Sequence, residues 1–294
     1  MSAADVLSEA ERALVRLAIA EDLPSGDATS EAIVPADLLA RAAVVAREPA
    51  VVAGLDVARA VFAEVEPRLA ARAARADGSR VADGDRVAAG DQVLAIEGPA
   101  RGILAAERTA LNFLGRLSGV ATITRAFVEA VSGTGVRILD TRKTTPGWRS
   151  LEKGAVRAGG GVNHRADASA MILVKDNHRA LLGGARACLA RLDAAGARAR
   201  ADLPVEIEAD DLADVCELVE AGAARILLDN MSPPTLRRAV AAARGSGHRV
   251  FLEASGGVTL ETVRAIAETG VDAISVGALT RAARSIDFSL EVLT

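Results

Sequence analysis

Six apolar runs in the second half of the chain stop on residues that carry charge or suit phosphate. "ILDTRK" passes through Asp140 to Arg142 and Lys143, and "MILVKD" reaches Lys175 and Asp176. "VEIE" ends on Glu208, "RILLDN" on Asp229 and Asn230, "FLEAS" on Glu253 and Ser255, and "AISVG" on Gly277. One polar residue at the end of a strand is an ordinary solvated rim. Four runs that each end within a residue or two on Lys, Glu, Asp or Glu read as a site.

The ends divide by sign. Arg142, Lys143 and Lys175, with His164 and Arg165 of "GGGVNHR", can hold a multiply charged anion through forked and point-charge contacts. Glu208 and Asp229 offer oxygens to sugar hydroxyls or to Mg²⁺, or else pair with the lysines; the residues alone leave both readings open. "ASGGVT" (254–259) follows an apolar run and opens a helix, so Ser255, Gly256 and Gly257 let backbone N–H groups close on an anion. With "SVGALT" (275–280), which carries Gly277 and Ala278 after the last run, it matches the phosphate site of β/α barrels, against the plainer reading of a tight turn.

Other chemistries are excluded. His178 reads as a helix cap and His248 as surface loop, and three scattered histidines with two distant cysteines lack zinc-ligand spacing. There is no GxSxG and no P-loop. Only three lysines occur, Lys143, Lys153 and Lys175, in a chain otherwise rich in arginine. Their clustering suggests a segment that needs compact ammonium groups.

The elements that position these residues are set by periodicity. The apolar runs alternate with amphipathic stretches such as "LADVCELVEAGA" and "LETVRAIAETG", which means βαβ units and a parallel sheet. Ligands bind at the carboxyl ends of such strands. No GxGxxG follows the first strand, so an incomplete β/α barrel is expected rather than a dinucleotide fold. Upstream, an amphipathic opening helix precedes "LPSGDATS", where Thr29 or Ser30 is expected to cap the next element. Two short strands flank Pro49, a helix covers 55–65, and Gly-Asp turns in 76–98 mark β-hairpins. That last stretch is similar to a lipoyl carrier, but no lysine precedes Lys143 to be modified. Residues 103–131 read as one or two helices, interrupted at Ser118-Gly119.

Composition narrows the class. Aromatics are 2% of the 294 residues and tyrosine is absent, which disfavours base-stacking platforms. A net charge of −4 offers no general pull on polyanions, so no nucleic-acid partner is expected. No cationic start, signal core or uncharged apolar run near 18 residues appears, and no membrane association is expected. Cys188 and Cys216 read as small core residues of a reduced, cytoplasmic protein.

With these residues placed, the chain resembles the quinolinate phosphoribosyltransferases over nearly its full length. "ERTALNFLGRLSG", "LDTRKTTPG", "GGGVNHR", "LVKDNH", "ILLDNMSP", "LEASGGVT" and "ISVGALT" stand in that family's order and spacing. Gly154 departs from it, where a larger residue is usual. The resemblance implies an N-terminal α/β sandwich domain (1–116), completed by the tail 282–294, and an incomplete seven-stranded barrel over 117–281. It implies a decarboxylating transfer from phosphoribosyl pyrophosphate to quinolinate with Mg²⁺, giving nicotinate mononucleotide for NAD biosynthesis, in a homodimer or higher homo-oligomer.

On that resemblance Arg142, His164, Arg165 and Lys175 clamp quinolinate, joined by Arg108 from the partner subunit. Lys143 meets the pyrophosphate donor. Glu208 and Asp229 hold ribose hydroxyls, directly or through Mg²⁺. Ser255, Gly256, Gly257, Gly277 and Ala278 cradle the 5′-phosphate. The competing readings are a relative of the same fold with another anionic acceptor and a non-catalytic barrel that binds a phosphorylated metabolite.

Overall fold

The computed structural model describes residues 6–293. The first five residues of the opening segment and Thr294 of the tail lie outside the described residues. The chain divides into two compact units, one comprising residues up to Arg125 with Thr144–Gly160 and the tail from Ala282, the other Ala126–Lys143 and Gly161–Arg281.

In the first unit the order is α1 (Glu9–Asp22), α2 (Ala28–Ile33), β1 (Leu39–Ala46), β2 (Ala50–Val51), α3 (Leu55–Val65), β3 (Ala70–Ala73), β4 (Arg86–Val87), β5 (Gln92–Pro99) and α4 (Ala100–Ala130). Helix α1 starts at a capping box between Ser8 and Glu11. Helix α2 is capped by Asp27, whose carboxylate accepts the N–H groups of Thr29 and Ser30. The expected caps, Thr29 and Ser30, are therefore the donors, because a carboxylate two or three residues upstream is the stronger acceptor.

The tail strand, which closes the chain after all the barrel elements, pairs antiparallel with β1, Val44 opposite Leu290. The resulting four-stranded sheet runs tail strand, β1, β5, β3. Helix α4 does not break at Ser118-Gly119. Ser118 Oγ instead accepts the Ala53 N–H at 3.0 Å in a buried hydrogen bond. A side chain at Gly119 would lie 1.8 Å from the carbonyl oxygen of Arg284, and Ile286 N–H donates to Gly115 O. The glycines make room for the returning tail rather than ending the helix. The expected domain boundary at 116/117 thus falls inside continuous helix.

The remaining elements are β6 (Arg137–Leu139), α5 (Arg149–Ala158), β7 (Ile172–Val174), α6 (Asp176–Leu182), α7 (Ala185–Ala194), β8 (Val205–Ala209), α8 (Leu212–Glu220), β9 (Arg225–Asp229), α9 (Pro233–Arg244), β10 (Phe251–Ser255), α10 (Leu260–Ala267), β11 (Ala273–Ser275), α11 (Ala278–Arg281) and β12 (Phe288–Leu293), the tail strand. Helix α5 belongs to the first unit, and so does buried Lys153 on it. In the second unit six parallel strands run β6-β11-β10-β9-β8-β7. Their inner residues, among them Ile138, Ile207, Ile226, Leu228, Leu252 and Ile274, are buried. Long apolar runs of this kind are what a strand covered on both faces requires. Beyond β6 a single parallel bridge joins Leu139 to Val162, so a seventh strand is reduced to one rung.

Both cysteines are free. Cys188 is buried, but Cys216 is exposed, correcting its expected place in the core. Helix α8 buries Val215, Leu218 and Val219, and Cys216 lies off that face. Among the described residues no helix is long and apolar enough to cross a membrane.

Candidate active site

Because all six strands point the same way, their carboxyl ends share one edge of the sheet. There the second unit encloses a cavity of about 210 Å³ lined by Arg142, Lys143, His164, Arg165, Lys175 and Ser255, with Asp140, Thr141, Leu173, Leu227, Glu253 and Ser275. Two of the three lysines and four of the five expected quinolinate ligands lie on it.

One side is cationic. Burial and the neighbouring Arg142 charge both pull the Arg165 guanidinium below the ordinary arginine range, which puts two guanidinium groups within electrostatic reach of each other. Asp167 and Glu206 also lie within electrostatic reach of Arg165. Arg165 also donates to the carbonyl of Met171 at 3.1 Å. Its loop is tied down by Asp140 at the end of β6. That carboxylate is fully buried and accepts the His164 N–H at 2.9 Å and the Asn163 side-chain amide at 2.5 Å. Lys175 extends its ammonium to Glu208, 2.5 Å away, and Glu208 also accepts the Asp176 N–H at 3.2 Å. Glu208 is thus paired with a lysine whose side chain stays 42% exposed.

The other side is built from backbone. Thr141 Oγ1 accepts the Lys143 N–H at 3.1 Å, and Thr280 donates to the Lys143 carbonyl at 2.9 Å, fixing the lysine from both ends. A side chain at Gly277 would stand 3.2 Å from Lys143 Cδ, so the glycine leaves the lysine its path. Gly256 and Gly257 have φ of +92° and +58°, and a Cβ on Gly256 would lie 2.1 Å from Asn230 Oδ1. Among the described residues Asn230 is the one non-glycine with positive φ, +52°. Its N–H donates to the Ser255 carbonyl at 2.9 Å, and its side-chain amide donates to Asp229 at 2.5 Å. Burial and the nearby Glu208 charge raise the Asp229 carboxyl above its ordinary range.

Arg108 lies exposed on α4 in the first unit, and the cavity lining comes from the second unit alone. Ala278 opens α11 directly after Gly277. Sequence reasoning gave no role to Glu206, Asn163 or Thr280, and took Glu253 only as an ionic strand end. The signal for Glu206 was present, since in "VEIE" residues 206 and 208 share one face of the strand. Glu206 and Glu253 are both fully buried and face His164 Nε2 at 3.2 and 3.3 Å.

Comparison with known proteins agrees with this geometry. Residues 27–118 match the family model for the quinolinate phosphoribosyl transferase N-terminal domain, and 120–291 that for the C-terminal domain. The nicotinate-nucleotide pyrophosphorylase (carboxylating) of Mycobacterium leprae is 42% identical over 97% of this chain and 98% of its own. The chloroplastic enzyme of that name from Oryza sativa subsp. japonica is 39% identical over 96% of this chain and 78% of its own. Among solved structures, the nicotinate-nucleotide pyrophosphorylase of Francisella tularensis superposes with a TM-score of 0.89 at 35% identity, covering 100% of this chain and 99% of that one. Matches on both halves and along the full length leave one conclusion: the chain belongs to the quinolinate phosphoribosyltransferase family.

Proposed function

We propose that the cavity brings quinolinate and phosphoribosyl pyrophosphate together and converts them to nicotinate mononucleotide, pyrophosphate and CO₂, a step of NAD biosynthesis. The observation that carries this reading is the gathering of Arg142, Lys143, His164, Arg165 and Lys175 on one cavity lining. A dicarboxylate pairs with the arginines, joined by His164 and Lys175, while Lys143 faces a second anion.

The chain's residues then act mainly by position and charge. Arg142, Arg165 and Lys175 hold the two carboxylates so that the ring nitrogen faces the anomeric carbon. Lys143 balances charge as pyrophosphate departs. Glu208 and Asp229 accept from the ribose hydroxyls while positive charge grows at that carbon. The open backbone at Ser255, Gly256, Gly257, Gly277 and Ala278 receives the 5′-phosphate. The new N-glycosidic bond makes the ring a pyridinium, which takes up the electron pair when the adjacent carboxylate leaves as CO₂ and a proton replaces it.

Mg²⁺ fits the donor set. Glu208 and Asp229 are hard oxygen ligands, and the raised Asp229 carboxyl reflects burial and repulsion by Glu208 that a divalent cation would relieve. They would hold the ion directly or through water, and it would supply neutralisation of the pyrophosphate. The active unit is a homodimer or larger homo-oligomer, in which exposed Arg108 completes the partner's quinolinate site. We assign residues 1–116 with the tail 282–294 to the supporting domain and 117–281 to the catalytic one. Two free cysteines support a reducing, cytoplasmic setting.

The test is product formation with Mg²⁺ and phosphoribosyl pyrophosphate. Quinolinate should yield nicotinate mononucleotide, and nicotinate should not be turned over. Equal turnover of nicotinate would overturn the assignment. Mixing Arg108→Ala with Arg142→Ala chains should restore activity through hybrid sites if the site is shared; an inactive mixture argues against sharing.

A further inference from the structure

Two carboxylates, Glu253 on the cavity lining and Glu206 beside His164, are left unused by the transfer scheme. Glu206 on β8 and Glu253 on β10 are both 0% exposed. Each turns one oxygen toward Nε2 of His164, whose side chain is 8% exposed. Ionised groups removed from water to this degree persist only with close opposite charge. On the far side of Glu206, Arg225 Nη2 stands 3.6 Å from Oε1, its guanidinium 4.0 Å above the Phe251 ring.

Burial works against charge on the ring, but the hydrogen bond to Glu206 and the Glu253 carboxylate 3.3 Å away outweigh it and push the His164 pKa up to about 9. The Arg165 N–H, aimed at Nδ1 from 2.7 Å, opposes a second ring proton. The two carboxylates facing Nε2 carry the net shift. A divalent cation among His164, Glu206 and Glu253 is the other arrangement the three ligand atoms permit. The two arrangements differ in whether chelation moves the His164 titration.

The His164 N–H is fixed on Asp140, and its ring is seated between the two carboxylates. The ring is therefore the strut between the buried carboxylates and the loop that presents Arg165 to the cavity. We propose that Glu206 and Glu253 are positioning residues for the acceptor: by clamping His164, they set the Asn163–Arg165 segment so that Arg165 meets the substrate carboxylate.

This rests on the reading of Arg165 as a quinolinate ligand, and the test separates the two. The chain has three histidines, so ring signals can be assigned with His178→Asn and His248→Asn variants and followed against pH without substrate. Around the His164 ring the charged groups are Glu206 from β8, Glu253 from β10, Arg225 from β9 and the Arg165 guanidinium from its own loop, both acting on Glu206, with Asp140 beyond β6 on its backbone. His164 should titrate near 9 in the native protein and at least one unit lower in Glu253→Gln. The quinolinate KM of that variant should rise roughly tenfold, as for one misplaced charge-assisted hydrogen bond, with the KM for phosphoribosyl pyrophosphate within about twofold. Glu206→Gln repeats the test from the other strand.

A native His164 that titrates near the ordinary 6.5 would overturn the proposal even if neither variant folds. So would Gln variants with native quinolinate KM, or a stoichiometric metal whose chelation abolishes the His164 shift. A shifted His164 with no quinolinate turnover would leave the buried clamp standing and sink the substrate reading instead.

Discussion

Two glutamates on one strand, Glu206 and Glu208, show how the same residue serves two purposes at different depths. They share a face of β8, one alternation apart. Glu208 sits at the mouth, 4% exposed, and its partner Lys175 is a half-exposed ammonium that an incoming anion can take over. Glu206 is wholly buried, and its partners His164 and Arg225 are held by Asp140, by the Arg165 backbone and by the Phe251 ring. Charge at the mouth is exchangeable, so it can act on substrate. Charge one layer down is locked, so it can act only by holding something else in place.

Substitutions at the two depths should separate accordingly, with the largest effect at the mouth. Arg142→Ala should lower kcat/KM for quinolinate by roughly 10- to 100-fold, the loss of a charge-assisted contact or two, while thermal unfolding stays near native because Arg142 is exposed. Native kinetics would remove Arg142 from the clamp. Gly256→Ala should come next: a left-handed φ costs about 1–2 kcal/mol for a side-chain-bearing residue, and the added carbon collides with Asn230. Its effect should be a raised KM for phosphoribosyl pyrophosphate with little change for quinolinate; the reverse would move the phosphate away from this loop.

The smallest effect belongs to the buried layer. A histidine pKa raised to about 9 contributes stability that is complete below its unfolded value near 6.5 and is lost as pH climbs through 9. The melting temperature should therefore decline between those limits, and more shallowly in Glu253→Gln. Parallel profiles would mean the buried carboxylates do not hold the proton.

Much of the fold and the mouth of the site was legible in the sequence, and the exceptions have physical causes. Continuous apolar runs between amphipathic stretches, and the ionic ends of those runs, located β6 to β11 and the mouth residues, since both depend on one strand and its own last residues. Ser118-Gly119 misled because glycine breaks an isolated helix but also admits a crossing chain, and the chain that crosses, Arg284 to Ile286, is distant in sequence. Cys216 misled because it neighbours Val215 in the chain but not on the helix face. Glu206 carried a readable signal in its alternation with Glu208. Its meaning required His164 from one loop and Glu253 from another strand, a meeting that only the folded sheet creates.

The central claim is that two different anions meet at one cavity and that decarboxylation waits on their joining. The direct measurement is CO₂ release from carboxyl-labelled quinolinate with Mg²⁺, with and without phosphoribosyl pyrophosphate. Release that depends wholly on the second substrate is the predicted result. Release without it, or none with both at saturation, would contradict the account.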